Sequence, residues 1–275
     1  MGNNYPKISI ITPSYNQGQF LEETILSVLN QNYPNLEYII IDGDSTDNSV
    51  EIIKKYEKHL AYWVSEKDNG QAHAINKGFK KATGDIVCWI NSDDLLIKGA
   101  LKTIANYFLS NPDVQFVNGY TLRIDKDSKI LFNNHIMKQS VFFAKQGVFN
   151  IAQQSMFWKK ELFAKIGFLD ESFRAEMDKE FLIRILEAKI KIGHINKTLG
   201  AIRIHDSTKT KIGGIIWEND KKKIKGMYAG KYDDNNPGQI YFFLFVFIKC
   251  IKLKYLQDFI FKLMWKGKSI SSYSI

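Results

Sequence analysis

The chain alternates short apolar runs with segments whose apolar residues recur at helical spacing. The runs at 7–13, 36–41 and 85–90 are typical of buried strands, and helix patterns separate them. Strands that alternate with helices predict an α/β fold in which a mostly parallel central sheet is flanked by helices. The alternation continues to about residue 206, and a helical extension is expected at the C-terminus.

Each of these three strands is followed by a polar segment, at 13–16, 42–47 and 91–94. Parallel strands bring their carboxyl ends to one edge of a sheet, where open α/β sheets bind ligands. The third segment, Asn-Ser-Asp-Asp, is the most informative, because Mg²⁺ typically takes one or two carboxylates together with substrate phosphates. It predicts a divalent metal that holds a diphosphate. The alternative is a structural turn in which Asp94 caps a helix that begins near Ile97.

Composition limits the class of partner. The chain has 275 residues, a formal net charge of +9 and a pI near 9.2, which favour anionic partners such as nucleoside diphosphates, nucleic acids or an acidic membrane. No zinc-finger or RNA-recognition signature occurs, so nucleic acid is not expected. Cys88 and Cys250 lack metal-ligand spacing and are expected to be free thiols in a reducing compartment. The N-terminus has no secretory pattern, and the protein is expected in the cytoplasm.

The chain is predicted to form one main domain at 1–206 and a basic, aromatic-rich helical extension at 207–275. A nucleotide-binding half at 1–120 and an acceptor-binding half at 121–206 make up the main domain. A turn or linker is expected at 233–238, where Asp, Asn, Pro and Gly cluster.

The extension combines aromatic residues with lysines. Its uninterrupted apolar stretch, 240–248, is shorter than the ~20 residues that a membrane-spanning helix needs. Two interpretations remain open. The extension forms two helices that lie flat on an anionic membrane surface, or it forms a helical pair that packs on the domain or on a second subunit in a homodimer. The lysines concerned are Lys249, Lys252, Lys254, Lys262 and Lys266.

Six motifs together resemble those of the family 2 glycosyltransferases. They occur in the order and at the spacing usual for that family, over roughly residues 7–206. The resemblance implies a nucleotide-sugar-binding fold of the GT-A type. It also implies an inverting, metal-dependent transfer of a hexose or N-acetylhexosamine from a nucleoside diphosphate sugar, expected to be UDP-linked, to an acceptor hydroxyl. The motifs lie at 12–16, 41–49, 76–78, 82–85, 91–94 and 177–180.

The resemblance also implies which residues bind the nucleotide sugar. Pro13 and Tyr15 would wall the base pocket, Asp42 would accept a hydrogen bond from the base, and Lys77 would contact the diphosphate. Ordinary packing under the loop is the alternative for Tyr15, and a solvated helix face is the alternative for Lys77. The full set expected to bind the donor is Pro13, Tyr15, Asp42, Asn76, Lys77, Asn91, Ser92 and Asp93.

Mn²⁺ or Mg²⁺ is the implied cofactor, with Asp93 as first-choice ligand, Asp94 as second and His205 as a further ligand. The family usually has an acidic residue where this chain has Asn91. Asp178 aligns with the general base, and a helix N-cap is its alternative role. Residues expected to contact the acceptor or the diphosphate are Gln153, Gln154, Arg203 and His205.

Two rival functions remain open. A nucleotidyltransferase would have a similar sheet and acidic site, but a Gly- and Arg-rich phosphate loop is not found at 12–18. A non-catalytic nucleotide-sugar-binding protein is the other rival. The expected acceptor is a cell-surface or lipid-linked glycan, with the enzyme peripheral at the inner face of the cell membrane.

Overall fold

The computed structural model describes most of the chain, and the predicted turn at 233–238 and Lys252 lie outside the described residues. The side chains of 239–242 and 245 are likewise not described. The described residues are 5–136, 138–139, 141–145, 149, 152–206, 208, 214–228, 231–232, 239–251 and 253–274.

The N-terminal half is a parallel sheet with helices packed against it. Strand β1 pairs in parallel with β2 on one side and with β4 on the other, and β2 pairs in parallel with β3. Leu21, Ile25 and Val28 are buried at helical spacing in the first helix, as the sequence pattern predicts. The elements are β1 (Ile8–Ser14), α1 (Gly18–Leu29), β2 (Leu36–Asp42), α2 (Ser49–Tyr56), β3 (Tyr62–Ser65), α3 (Gln71–Lys81) and β4 (Ile86–Trp89).

The second half extends the same sheet, mostly with antiparallel pairs. The strand order is β3-β2-β1-β4-β8-β6-β9-β5, and β7 pairs with β6 in an antiparallel hairpin. The sheet is therefore mixed: β8 is antiparallel to both β4 and β6, while β6 and β9 are parallel. The elements are β5 (Leu95–Leu96), α4 (Ala100–Ser110), β6 (Phe116–Asp125), β7 (Ile130–Asn134), α5 (Val141–Lys145), β8 (Met156–Lys159), α6 (Phe163–Ile166), α7 (Met177–Glu187) and β9 (Ile192–Ile204).

Three local predictions differ from the structure. The helix expected near Ile97 begins only at Ala100, because Leu95 and Leu96 form a short strand against β9. The residue pattern at 153–158 predicts a strand, but the strand begins at Met156, after a 3₁₀ turn. The patterns at 190–195 and 202–204 predict two short strands, but both belong to one strand, β9, whose register against β6 shifts in the middle.

Two apolar clusters form the interior. The larger lies between the sheet and the helices of both halves, and the smaller is covered by the C-terminal helix α10 through Phe261. None of the helices within the described ranges combines the length and the apolar content that crossing a membrane requires. The remaining helices are α8 (Gly214–Met227), α9 (Gln239–Ile251) and α10 (Lys254–Trp265).

Candidate active site at the carboxyl edge of the sheet

The polar segments that follow β1 and β2 meet at one edge of the sheet. The two strands are in parallel register, with Ser14 opposite Asp42. Asn16 joins the segments, because its side-chain oxygen accepts from the N–H of Thr46 at 2.8 Å and its own N–H donates to Ser45 Oγ at 2.9 Å. The prediction that these strand ends lie together is confirmed.

Thr24 of α1 holds the third polar segment at this edge. Its hydroxyl lies 2.9 Å from the carbonyl oxygens of both Ser92 and Asp94. Ser92 is buried, and this position favours a structural role over the predicted contact with the nucleotide sugar. The turn that carries the acidic residues is therefore fixed by its backbone.

Asp93 and His205 form a pair in which Asp93 is the more accessible member. Asp93 Oδ2 lies 3.0 Å from His205 Nε2, and the Asp93 side chain remains partly exposed while His205 is buried. The His205 ring packs against Phe20 of α1, with 4.7 Å between ring centroids, and the backbone N–H of His205 donates to Thr208 Oγ1 at 2.9 Å. The carboxylate and the imidazole, which are far apart in the sequence, are thus brought into direct contact.

Asp94 is the buried partner of this pair, with an exposed fraction of only 2%. Its Oδ1 accepts from the N–H of Arg203 at 3.0 Å, and its Oδ2 accepts from Gln154 at 2.7 Å and from Asn91 at 3.0 Å. Burial, and then the adjacent charge of Asp93, raises the pKa of Asp94, while these hydrogen bonds act in the opposite direction.

These contacts correct two expectations for Asp94. Both carboxylate oxygens are engaged inside the protein, so Asp94 orients the site and is poorly placed as a metal ligand. It does not cap a helix either, because α4 begins later, with Gly99 as its N-cap.

A network of side-chain amides surrounds the acidic turn. Asn91 accepts from Gln71 Nε2 at 2.7 Å and lies 3.5 Å from Gln153 Oε1, while Gln153 also donates to the carbonyl of Trp89. Gln153 and Gln154 are both buried. The structure therefore brings the two predicted glutamines to the acidic turn, where they bind protein groups.

Arg203 does not fit its predicted contact with the diphosphate. The residue is 0% exposed, and its guanidinium donates to the Asp93 carbonyl at 2.9 Å, to Ser128 Oγ at 2.8 Å and to Glu23 at 2.7 Å. It also lies over the Phe20 ring, 4.8 Å from its centroid. Arg203 is a positioning residue that connects α1, the β6–β7 turn and the acidic turn. The sequence holds no local signal for this, since the partners are distant along the chain.

Asp42 is the last residue of β2 and lies at the carboxyl edge of the sheet, opposite Ser14 of β1. Its carboxylate, which is fully buried, accepts from the N–H of Ser45 at 2.9 Å, from Ser45 Oγ at 2.6 Å and from Ser65 Oγ at 2.7 Å. Asp47 then supports two helix starts, because it accepts from the N–H of Gly18 at 2.8 Å and of Ser49 at 2.9 Å. These bonds hold the loop that follows β2.

Tyr15 is the most exposed predicted site residue. It is 61% exposed, which rules out packing beneath the loop, while Pro13 is buried in β1. A Cβ atom on Gly43 would lie 3.4 Å from the Tyr15 ring and 2.6 Å from Asp68 Oδ2. Tyr15 and Asp68 therefore flank a glycine that keeps the space between them open. Sequence reasoning did not single out Asp68; its position just after β3 is the signal that was available.

Asn76 and Lys77, both expected to bind the donor, lie on α3. Asn76 is buried, donates to the Leu169 carbonyl at 2.9 Å and accepts from the Leu169 N–H at 3.0 Å, so it joins α3 to the loop before α7. Lys77 forms an ion pair with Glu66 on the surface. Neither residue reaches the acidic turn through these contacts, and a nucleotide role for Asn76 is not supported.

Asp178 lies in the first turn of α7, which begins after the N-cap residue Glu176. Asp178 is therefore not the cap. The backbone N–H groups of 174–176 are instead satisfied by one oxygen of Asp220, at 2.7–3.0 Å. Asp220 is buried and was not predicted from the sequence, because its contact depends on how α8 packs against α7.

The start of α7 is attached to the loop that leads into α3. Arg174 donates to the carbonyl of Asn69, two residues before Gln71, whose side chain binds Asn91. Asp178 thus lies at the start of a helix that is linked to the acidic turn by the Arg174–Asn69 and Gln71–Asn91 hydrogen bonds. A second acid on this helix, Glu180, is buried against Arg184 at 2.8 Å and is structural.

The residues at the acidic turn fit a divalent cation with a small protein ligand set. No group of three or more His, Cys, Asp or Glu side chains within the described residues is arranged to hold a metal. Asp93 and His205 nevertheless present a carboxylate oxygen and an imidazole nitrogen 3.0 Å apart. Because Mg²⁺ often takes one or two protein ligands together with substrate phosphates, these two donors suit a cation whose remaining ligands come from the substrate.

Comparisons with known proteins identify the family to which the chain belongs. The model of glycosyl transferase family 2 matches residues 9–167, more than half of the chain. The putative teichuronic acid biosynthesis glycosyltransferase TuaG of Bacillus subtilis is 37% identical over 127 residues, which are 44% of this chain and 50% of TuaG. The chain thus spans about half the length of that curated relative.

Two solved structures share the fold. S. aureus TarS 1–349 in complex with UDP-GlcNAc has a TM-score of 0.62 and 18% identity, over 74% of this chain and 60% of that chain. The mannosyltransferase PcManGT of Pyrobaculum calidifontis, in complex with GDP-Man and Mn²⁺, has a TM-score of 0.56 and 22% identity, over 74% and 59%. The fold and the family match lead to one conclusion: the chain belongs to glycosyl transferase family 2.

Proposed function

We propose that the enzyme transfers a hexose or N-acetylhexosamine from a UDP-linked sugar to an acceptor hydroxyl, with inversion at the sugar carbon and with a divalent cation. One observation carries the proposal: a partly exposed Asp93 meets His205 at the carboxyl edge of the sheet. Asp93 belongs to a turn that buried groups hold in place, and His205 directly follows the end of β9. The UDP-GlcNAc complex of TarS and the Mn²⁺ in PcManGT support the donor class and the metal.

Asp93 and His205 would hold the cation. The buried residues Asp94 and Arg203 would keep them in position through their hydrogen bonds. A bound divalent cation would neutralise the negative charge that grows on the diphosphate leaving group. The protein would preorganise the site, because a turn fixed by buried hydrogen bonds needs little rearrangement when the donor binds. This explains why so many polar side chains at this edge bind one another.

Tyr15 and Asp68 are proposed to contact the nucleobase. The exposed Tyr15 ring offers a surface for stacking, and the Asp68 carboxylate can accept from the N–H of uracil. Gly43 lies between them and leaves room for a planar ring. Asp42, in this proposal, shapes the pocket through Ser45 and Ser65, because its oxygens already accept three hydrogen bonds.

Asp178 is proposed as the general base. It would accept the proton of the acceptor hydroxyl while the hydroxyl oxygen bonds to the sugar carbon and the bond from that carbon to the diphosphate breaks. A single displacement of this kind inverts the configuration. The first turn of α7 suits the role, since Asp220 holds the backbone that leads into the helix and Asp178 is left partly exposed.

The proposed acceptor is a growing cell-surface or lipid-linked glycan. The support is the likeness to TuaG, whose name places it in teichuronic acid biosynthesis. Such acceptors are assembled at a membrane, so the enzyme would work at the cytoplasmic face of the cell membrane.

A donor panel tests this function. The purified chain is incubated with UDP- and GDP-sugars and with mixed acceptors, and release of the nucleoside diphosphate is measured with Mn²⁺ and with a chelator. Release from a UDP-sugar that requires Mn²⁺ is expected. Asp93→Asn should abolish the metal-dependent part and leave the thermal unfolding temperature close to that of the wild type. The variant Glu66→Gln, which alters an exposed ion pair with Lys77, is the matched control and should keep full activity. Turnover that is unchanged by chelation or by Asp93→Asn would refute the metal assignment.

A further inference from the structure

The C-terminal helices α9 and α10 expose most of the large apolar side chains found on the surface. Eleven of the twenty exposed large apolar residues in the described part of the chain lie between 243 and 264. Monomeric proteins rarely leave such a contiguous set in water unless it binds something. The members are Phe243, Leu244, Phe247, Ile251, Leu253, Tyr255, Leu256, Phe259, Ile260, Leu263 and Met264.

The inner side of the helical pair carries charged residues in addition to Phe261 and Trp265, which is unusual for helices that leave an apolar face exposed. On α10, Asp258 pairs with His135 and Lys254 binds the Tyr120 hydroxyl, and Lys254 is buried. On α9, Lys249 lies 3.6 Å from Asp258. A helix that simply covered a core would turn its apolar stripe inward and its charges outward.

The outer side of α10 has the apolar stripe. Residues 255, 256, 259, 260, 263 and 264 recur at helical spacing, and all are exposed; Leu263 is 72% exposed. Phe261 and Trp265 face inward: Phe261 is buried in the cluster with Leu122 and Ile130, and Trp265 packs against that cluster. The stripe is therefore a continuous surface of the folded protein.

Backbone hydrogen bonds fix the orientation of this surface. After α10, the N–H of Ile130 donates to the carbonyl of Lys268 at 2.8 Å, and the N–H of Gly267 donates to the carbonyl of Ile130 at 2.7 Å. Together with the His135–Asp258 pair, these bonds attach both ends of α10 to the β6–β7 hairpin. The apolar stripe cannot turn inward without breaking them.

The charges around the stripe indicate what covers it. Lys262, Lys266 and Lys268 are exposed beside it, and residues 239–275 contain six lysines and a single acidic residue, Asp258, which already faces inward. An apolar stripe with a basic border matches an anionic lipid surface, in which aromatic and aliphatic side chains enter the interface and lysines remain at headgroup level. A symmetric contact between two copies would place the same basic border on both sides, and like charges there repel.

We propose that the outer face of α9 and α10, from Phe243 to Met264 and bordered by Lys262, Lys266 and Lys268, binds the surface of an anionic lipid bilayer. Binding would bring the enzyme to acceptors that are carried by lipid. The proposal does not depend on the donor or on the metal, because it concerns a face formed by other residues.

Flotation of the full-length protein with vesicles tests the proposal without donor. Vesicles of phosphatidylcholine alone are compared with vesicles that also contain phosphatidylglycerol, at low and at high salt. The wild type should bind the anionic vesicles and bind less at high salt. Phe259→Gln with Leu263→Gln should reduce the partition coefficient by roughly tenfold or more, because two large apolar side chains no longer enter the interface. Lys262→Gln with Lys266→Gln should weaken binding to anionic vesicles and remove most of the salt dependence.

The matched control is Leu109→Gln with Ile215→Gln, which changes two exposed apolar residues on α4 and α8. It should bind vesicles like the wild type. All variants alter exposed positions, so their unfolding temperatures should stay near that of the wild type. Equal flotation of the wild type and the Phe259/Leu263 variant would overturn the proposal. A concentration-dependent dimer that this variant abolishes, with no vesicle binding by the wild type, would instead assign the face to contact between two copies.

Discussion

Gly200 should be essential for the geometry of the acidic turn. It lies in β9, opposite Thr121 of β6 and Leu96 of β5, and the backbone of Gln154 crosses directly over it. A Cβ atom at position 200 would lie 2.8 Å from the Gln154 carbonyl carbon and 2.9 Å from its Cβ, with the carbonyl oxygen closer still. Gly200→Ala therefore cannot be accommodated by rotating a side chain.

The size of the effect follows from these distances. Ordinary contact begins at 3.4 Å, so the Gln154 carbonyl carbon must retreat by at least about 0.6 Å. The hydrogen bond from Gln154 Nε2 to Asp94 Oδ2, now 2.7 Å, would lengthen or break. Forced backbone shifts of this kind cost about 1–3 kcal/mol in unfolding free energy. Because displacements near 1 Å can cost about 10²-fold in rate, kcat/KM should fall by roughly tenfold to a hundredfold.

Urea unfolding and nucleoside diphosphate release are measured on the same preparations. Gly226→Ala is the control, since no atom lies within 4 Å of the added Cβ; this variant should keep full activity and gain about 0.5–1 kcal/mol from its helical position. Gln154→Asn shortens the side chain without moving the backbone, so it should reproduce the loss of activity with a smaller loss of stability. Wild-type stability and activity in Gly200→Ala would refute the reasoning.

Glu37 and Asp178 give two further predictions. Burial raises the pKa of Glu37, but hydrogen bonds from Lys7, Ser9 and Thr83 outweigh it and lower the pKa to about 2, against 4.5 in the unfolded chain. The ionised Glu37 therefore stabilises the fold by about 3 kcal/mol above pH 4.5, and this contribution is lost as the pH falls toward 2. In urea unfolding, the free energy of unfolding of the wild type should exceed that of Glu37→Gln by this amount at pH 7 and by less than half of it at pH 3. A difference that does not change with pH would contradict this. Asp178→Asn should lower kcat by roughly 10²–10⁴ and leave donor affinity, measured by titration calorimetry, near the wild-type value; a loss of donor affinity with kcat intact would show that Asp178 binds rather than deprotonates.

Features that depend on neighbouring residues in the sequence were predictable. The strands β1, β2 and β4 and the helices between them follow from apolar spacing, and their polar ends necessarily meet because the strands are parallel. Position 167 likewise ends a helix, and its φ of +73° explains why glycine is there. The acidic turn was found for the same reason: it directly follows a recognisable strand.

Features that depend on distant contacts could not be read from the sequence. The buried position of Arg203 requires Glu23, which lies 180 residues away, and the role of Asn76 requires Leu169. The continuous β9 was read as two strands because Asn196 and Lys197 are polar; both are exposed where the register against β6 shifts. In each case the local pattern is ambiguous, and packing decides the outcome.

Asn91 has a physical explanation in the network around it. An amide both donates and accepts, so Asn91 can donate to Asp94 at 3.0 Å while it accepts from Gln71 at 2.7 Å. A carboxylate at this position could accept from Gln71 but would face Asp94 as a third negative charge in a buried turn, which would disfavour the charged form of Asp94 further. With Asn91 in place, the negative charge of the turn is limited to Asp93 and Asp94, and Asp93 alone points toward the accessible side with His205. The departure from the usual acidic residue is therefore compatible with a metal site whose protein ligands are one carboxylate and one imidazole.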